Sequence, residues 1–148
     1  MNKILFDNKV NIFFLLISLA SVFFLLGTDS FSITNTRWIY HDGSDMAQSH
    51  VGWYFFKNDI WRFPLGNNPN YGDEFANSIV FSDSIPILAL FFKFISPVMP
   101  ENFHYFSIWY FICFFLQLYF SYKILNKFTG NNFFSFIGSL FFLVAPIF

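Results

Sequence analysis

The run His41-Asp42-Gly43-Ser44-Asp45, with His50 shortly after it, gathers the side chains of this chain best suited to chemistry. Carboxylates and imidazoles bind hard or borderline divalent ions, and they also move protons. Spacing narrows the options. On a helix, residues three and four apart share a face, which puts Asp42 beside Asp45 and Asp45 beside Ser49. Asp45 and His50 stand about 140° apart around the axis, at roughly 100° per residue. They share one ion only with help from an irregular turn or a second segment. The plainer role for the acids is capping, with Asp42 as N-cap and Asp45 at the third helical position. His50 is then a surface or hydrogen-bonded histidine.

Further along, FSDSIPILAL places Asp83 or Ser84 where it would cap a following helix, with Pro86 in the first turn. An acid at a helix start beside a membrane is also a candidate second half of a metal site with Asp45. Lys93 reads as an anchor reaching for headgroups, or as a contact to a lipid phosphate. Trp53, Tyr54, Phe55, Phe56, Trp61 and Phe63 form an aromatic patch, suited to packing at a membrane interface or to stacking on a sugar.

The elements that position these groups follow from an unusual composition. Of 148 residues, 55% are hydrophobic, 26% aromatic and 11% charged, with 27 Phe. A soluble domain carries about twice that charge, and exposing so many Phe rings to water is costly, so lipid is the expected solvent. The net charge of −1 and the lack of a basic patch give no reason to expect nucleic acid. Cys113, the only cysteine, sits in an apolar run, so neither an intrachain disulfide nor a cysteine zinc site is available.

The chain is predicted to be an all-α membrane protein with about three transmembrane helices. The first covers 10–28, preceded by Lys3 and Lys9. A cleaved signal peptide is the rival, but no small-x-small site follows the apolar core. An external loop over 29–102 holds two short helices, near 45–57 and 85–95, and the stretch from Gly27 to Ser84 carries seven of the nine acids. The latter rises only about 16 Å, too little to span, and is read as interfacial or re-entrant. The second span covers 103–122, with Tyr105, Trp109, Tyr119 and Tyr122 toward its ends as aromatic belts. A turn at 126–132 follows, and then a third span over 133–148. Ending among apolar residues, that third helix suggests a fragment of a longer chain.

Lys3 and Lys9 flank one end of the first span, and Lys123 and Lys127 follow the second, so the positive-inside tendency puts both pairs in the cytoplasm and the acidic loop outside. Within the second span Tyr110, Cys113, Gln117 and Ser121 draw a weakly polar stripe that should face other helices. Phosphate-binding glycine loops, HExxH, GxSxG and paired CxxC are all missing.

A first span, a long external loop with an early acid, two loop helices and a later acid resemble the start of the GT-C membrane glycosyltransferases. DMAQSHVGWYFFKNDIWRFPLGNNPNYG with SIVFSDSIPILALFFK is similar, more closely, to an uncharacterised bacterial multi-pass family related to them, and FSDSIP is fairly specific to that family. The likeness runs from about Asp45 through the second span. It implies an inner-membrane protein that transfers a sugar from a polyprenyl phosphate to an extracytoplasmic acceptor. It further implies Asp45 as base or ligand, His50 as a helper, Asp83 as a second acid, Lys93 on the donor phosphate, and Mg²⁺ or Mn²⁺ as the ion. Members of that superfamily have many more spans than this chain. A non-catalytic lipid-binding or scaffold protein is the alternative, and transport ranks lowest because no charge lies deep within a span.

Overall fold

A computed structural model of the chain describes residues 2–40, 45–72, 77–82 and 84–145, with side chains from residue 9 onward. The chain is mostly helical and divides into two compact units, Met1–Gly27 with Phe106–Phe148, and Thr28–Tyr105.

The first unit holds three helices: α1 (Asn2–Leu26), α4 (Phe106–Thr129) and α5 (Asn132–Val144). Lys9–Leu26 and Phe106–Thr129 are long and apolar enough to cross a membrane. The 24 residues of α4 rise about 36 Å, against a hydrocarbon core of about 30 Å. The 13 residues of α5 rise only about 20 Å. Two helices therefore meet the length requirement among the described residues, where three were expected.

Val10, Phe14, Leu118 and Tyr122 form the core of this unit, flanked by Phe136 and Leu140. The Phe14 ring stacks on Phe136 at 5.7 Å and meets Tyr122 edge-on at 5.6 Å. Small residues allow the close approach: Ser18, Ser135 and Ser139 are buried, and each hydroxyl returns to a carbonyl of its own helix or, for Ser135, of the turn before it. The turn between α4 and α5 is tighter than the expected 126–132. The helix runs through Lys123 and Lys127 to Thr129, where Gly130 at φ 63° stops it, its N–H donating to the Asn126 carbonyl. Asn131 then caps α5, its Oδ1 accepting from the N–H groups of Phe133 and Phe134.

In the second unit the two loop helices are α2 (Asp45–Asn58) and α3 (Pro86–Ile95). A minimal antiparallel pair, β1 (Asn67–Asn68) and β2 (Asn77–Ser78), lies between them in sequence, followed by a 3₁₀ turn at Ile79–Ser82. The core is aromatic. Trp53 and Phe56 of α2 are fully buried with Phe103 and Tyr105. Tyr105 meets Trp53 edge-on at 4.9 Å and stacks on Phe92 of α3 at 5.1 Å. Such pairs add about 0.5–1.5 kcal/mol each beyond burial.

Residues 103–105 were expected to begin the second span, yet they precede α4, outside any helix, and close this core. Phe103 accepts from Trp53 Nε1 at 3.0 Å, and His104 N donates to the Ile33 carbonyl at 2.9 Å. The aromatic patch expected from Trp53 to Phe63 also divides. Trp53 and Phe56 are interior, and only Tyr54, Phe55, Trp61 and Phe63 reach the surface. Residues 53 and 56 are three apart on a helix and share its inner face.

Candidate functional site

The FSDSIP turn is held by hydrogen bonds on both sides of Asp83, which itself lies outside the described residues. Ser82 Oγ donates to the Ile79 carbonyl at 3.0 Å and is 3.0 Å from Ser84 Oγ. Ser84 Oγ in turn donates to the carbonyl of Ser49 on α2, and the Tyr105 hydroxyl donates to the Ser84 carbonyl. Both serines are fully buried. They fit because α2 presents Gly52 at this point: a Cβ there would collide with the Ser82 side chain. Asn68 completes the seam, its Nδ2 donating to the Gly52 carbonyl at 3.0 Å.

Ser84 was expected as a possible cap of the helix that follows, and this is corrected. The N-cap of α3 is Ile85, which makes no side-chain cap, while the Ser84 hydroxyl is turned inward to α2. Ile85 stands at φ 47°, a left-handed conformation rare for a β-branched residue, and rarer still before a proline. Its carbonyl nonetheless accepts from Leu88 and Ala89 and starts the helix, with Pro86 in the first turn as expected. Strain of this kind costs about 1–3 kcal/mol and persists where neighbours over-determine the backbone. The buried serines and Tyr105 are those neighbours.

Asp45 opens α2 and is exposed, an acid at the positive end of a helix dipole. Ser49 Oγ donates back to its carbonyl at 3.2 Å, so that Asp45, Ser49 and Ser84 form one hydrogen-bonded series. Asp42, the expected N-cap, lies with His41 outside the described residues.

His50 points the other way, into the unit, and is 7% exposed. Its Nδ1 is 2.7 Å from the Tyr40 hydroxyl, and its ring packs edge-on against Tyr40 and against His104 at 6.0 Å. His104 Nε2 reaches the Asn35 carbonyl at 3.1 Å. Burial lowers the His50 pKa to about 4, helped by the nearby His104 and Lys57. Burial lowers His104 as well, against the opposing effect of the Asn35 carbonyl, and it raises the Tyr40 hydroxyl. The imidazole is thus neutral at pH 7. Its single N–H lies on Nε2 where Tyr40 donates to Nδ1, and on Nδ1 where Tyr40 accepts. As the regular geometry of α2 requires, Asp45 and His50 do not converge. Among the described residues no three His, Cys, Asp or Glu gather into a metal-sized group.

Lys93 was expected to reach outward as a headgroup anchor. It is instead 3% exposed, its ammonium 4.0 Å over the Phe56 ring, 5.0 Å from the Trp61 ring and 3.5 Å from the Ile60 carbonyl. An amine among aromatic faces gains cation–π attraction but loses water. Burial lowers its pKa, Asp59 opposes that, and Arg62 adds to it. Burial alone would raise Asp59, but hydrogen bonds from Arg62 and the Ile60 N–H bring it below the usual carboxylate value.

Tyr40, His104, Arg62 and Ser82 escaped the sequence reading, and Ser84 entered it only as a possible cap. The only signal available for the serines was Gly52, three residues after Ser49 and so on nearly the same helix face.

In the first unit, Tyr110, Cys113 and Gln117 line a groove of about 990 Å³ together with Ile17, Phe24 and Leu143. The polar stripe therefore does face neighbouring helices. Gln117 Nε2 donates to the Phe142 carbonyl at 2.6 Å, satisfying one of the last carbonyls of α5.

Residues 15–148 match a protein family described as a domain of unknown function, DUF6311. No curated protein and no solved structure matches the chain.

Proposed function

We propose that this chain, which belongs to the DUF6311 family, supplies the first spans and the first external loop of an inner-membrane glycosyltransferase-like protein of the GT-C kind. The observation that carries this reading is the link between its two acid-bearing segments. The Ser84 hydroxyl donates to the Ser49 carbonyl, and the Ser49 hydroxyl to the Asp45 carbonyl. A site built from an early and a later acid needs those segments fastened together. Supporting the membrane side of the reading, α1 and α4 are long and apolar enough to cross, and Phe24 and Phe128 lie over 80% exposed along them.

In this mechanism Asp45 accepts the proton of an acceptor hydroxyl as its oxygen bonds to the anomeric carbon of the donor sugar. The sugar–phosphate bond breaks, and the polyprenyl phosphate leaves with the electron pair. Lys93, held against the Phe56 and Trp61 rings, offsets from a distance the charge that grows on that phosphate, and the acceptor's proton stays on the Asp45 carboxyl until water takes it. Asp45 and Asp83 are the residues that would hold Mg²⁺ or Mn²⁺, and the ion would supply positive charge to the donor phosphate. The substrates meet the loop on the extracytoplasmic side, while Lys9, Lys123 and Lys127 face the cytoplasm.

Replacing Asp45→Asn in the complete membrane protein and following transfer of a labelled sugar from a polyprenyl-phosphate donor tests the reading. The expected loss is about 10²–10⁴-fold; undiminished transfer removes Asp45 from the mechanism. A second reading, a non-catalytic lipid-binding or scaffold protein, draws on the packing of Ser82 and Ser84 against Gly52, which accounts for the FSDSIP serines without catalysis. Protection of the loop from protease by Mg²⁺ or Mn²⁺, weakened in Asp45→Asn and Asp83→Asn, favours the transferase. No response to either ion favours the scaffold.

A further inference from the structure

Helix α3 is amphipathic in the reverse sense of a soluble helix. Its buried face carries Ala89, Phe92 and the ammonium of Lys93, while Ile87, Phe91, Phe94 and, one turn beyond, Val98 stand exposed. These four recur at spacings of four, three and four, and so form one continuous stripe. Such a helix keeps its charge inside and turns rings outward, the arrangement expected where the medium outside is apolar.

The segment after α2 adjoins this helix, since Lys93 Nζ lies against both the Trp61 ring and the Ile60 carbonyl. It is an exposed apolar loop that carries one cation, Arg62. Phe63 is 91% exposed and Leu65 64%, and between Trp61 and Phe63 stands Arg62, whose side chain is 42% exposed. Arg62 spends Nε and Nη2 on Asp59, each at 3.4 Å. A guanidinium has five N–H donors, and these two contacts engage only part of them.

We propose that the α3 stripe and the 60–65 loop form an insertion face that seats Thr28–Tyr105 in the headgroup layer of a bilayer, with the Arg62 guanidinium on a lipid phosphate. Three observations name lipid as the occupant. Thr28 follows Gly27 at the end of α1, and Tyr105 precedes Phe106 at the start of α4, so the unit is joined at both ends, without a linker, to helices long enough to cross a membrane. The exposed cation lies among the exposed apolar side chains, matching a phosphate layer above acyl chains. Trp61 and Phe63 flank that cation in sequence, and an indole beside a guanidinium suits the headgroup level. The proposal rests on the membrane reading above and would survive loss of the glycosyltransferase assignment.

The experiment uses the full chain with Cys113→Ser, reconstituted in phosphatidylcholine–phosphatidylglycerol nanodiscs and labelled with a fluorophore at Phe63→Cys, Phe94→Cys or, as a reference on the exposed side of α2, Gln48→Cys. Lipid-borne nitroxide is expected to quench labels 63 and 94 while iodide spares them, with the reverse at 48. Adding Arg62→Gln is expected to lower the ratio of lipid to iodide quenching at 63 about fivefold, the effect of roughly one basic residue near an anionic surface. Arg62→Lys should restore much of it. Iodide reaching 63 and 94 as readily as 48 overturns the proposal. So does protection from both quenchers, which would put protein on this face, and an unchanged ratio in Arg62→Gln removes the phosphate contact. A chain that fails to enter nanodiscs at all would instead sink the membrane reading.

Discussion

Tyr40 and His50 make a contact whose consequence is a dependence on pH. Burial, with His104 and Lys57 nearby, holds the His50 pKa at about 4 against an ordinary 6.5. Between those values the unfolded chain binds a proton that the folded chain excludes, so stability rises with pH across the window. The contribution is complete above 6.5 and fades as pH falls toward 4. Its ceiling is about 3 kcal/mol, at about 1.4 kcal/mol per pH unit. His104, lowered in the same direction, adds to the slope. Denaturant unfolding followed by tryptophan emission should therefore show stability falling below pH 6.5. His50→Gln, which still accepts from Tyr40, should flatten that slope; an unaltered slope would exclude His50 as its source.

Among elements, the seam between α2 and the FSDSIP turn is decided by a glycine. Placing alanine at 52 gains about 1 kcal/mol of helix propensity, but its Cβ would strike the Ser82 side chain at its own Cβ, close to the backbone. Overpacking of that kind costs about 1–3 kcal/mol, so the steric effect wins. A clash of Cβ directly against the Ser82 Cβ calls for the upper end of the cost, so Gly52→Ala is expected to lower stability by about 2 kcal/mol net, read from the denaturation midpoint of the second unit. Equal or greater stability would mean that the turn can shift away, and that the acid-bearing segments are not tightly fastened.

The same element shows where sequence runs out. Periodicity and composition were enough to locate α2 and α3, because each is bounded by acids, Asn or Pro that declare a helix end. They could not show that Ser84 turns inward, since its partner, the Ser49 carbonyl, lies on another helix. Nor could they foresee Lys93 under an aromatic roof, because a lysine within an apolar run ordinarily reaches out to water. Residues 103–105 read as membrane-spanning by hydropathy alone. Only tertiary hydrogen bonds from Trp53 and to Ile33 assign them elsewhere.

For the molecule as a whole, two helices carry the transmembrane reading, and sidedness gives it a direct check. Single cysteines in a Cys113→Ser background, placed at Gln48 and at Lys127, should react with a membrane-impermeant thiol reagent from opposite sides. Position 48 is expected to label in intact cells once the outer barrier is permeable, and 127 only after the inner membrane is opened. Labelling of both from one side would leave α1 and α4 unable to act as the two crossings, and the proposed placement of Asp45 would fall with them.

Trp53 donates to the carbonyl of Phe103, fifty residues later, and the His104 ring reaches back sixty-nine to Asn35. Contacts so distant in sequence cannot form until their later partner exists. A ribosome making this protein will therefore release the first long helix, and nearly the whole of the acid-rich segment, before that segment can acquire its interior. The last three residues before α4 act as its clasp. Emission from a chain that keeps Trp53 and carries Phe at 38, 61 and 109, followed during stepwise translation, would time the moment at which it fastens.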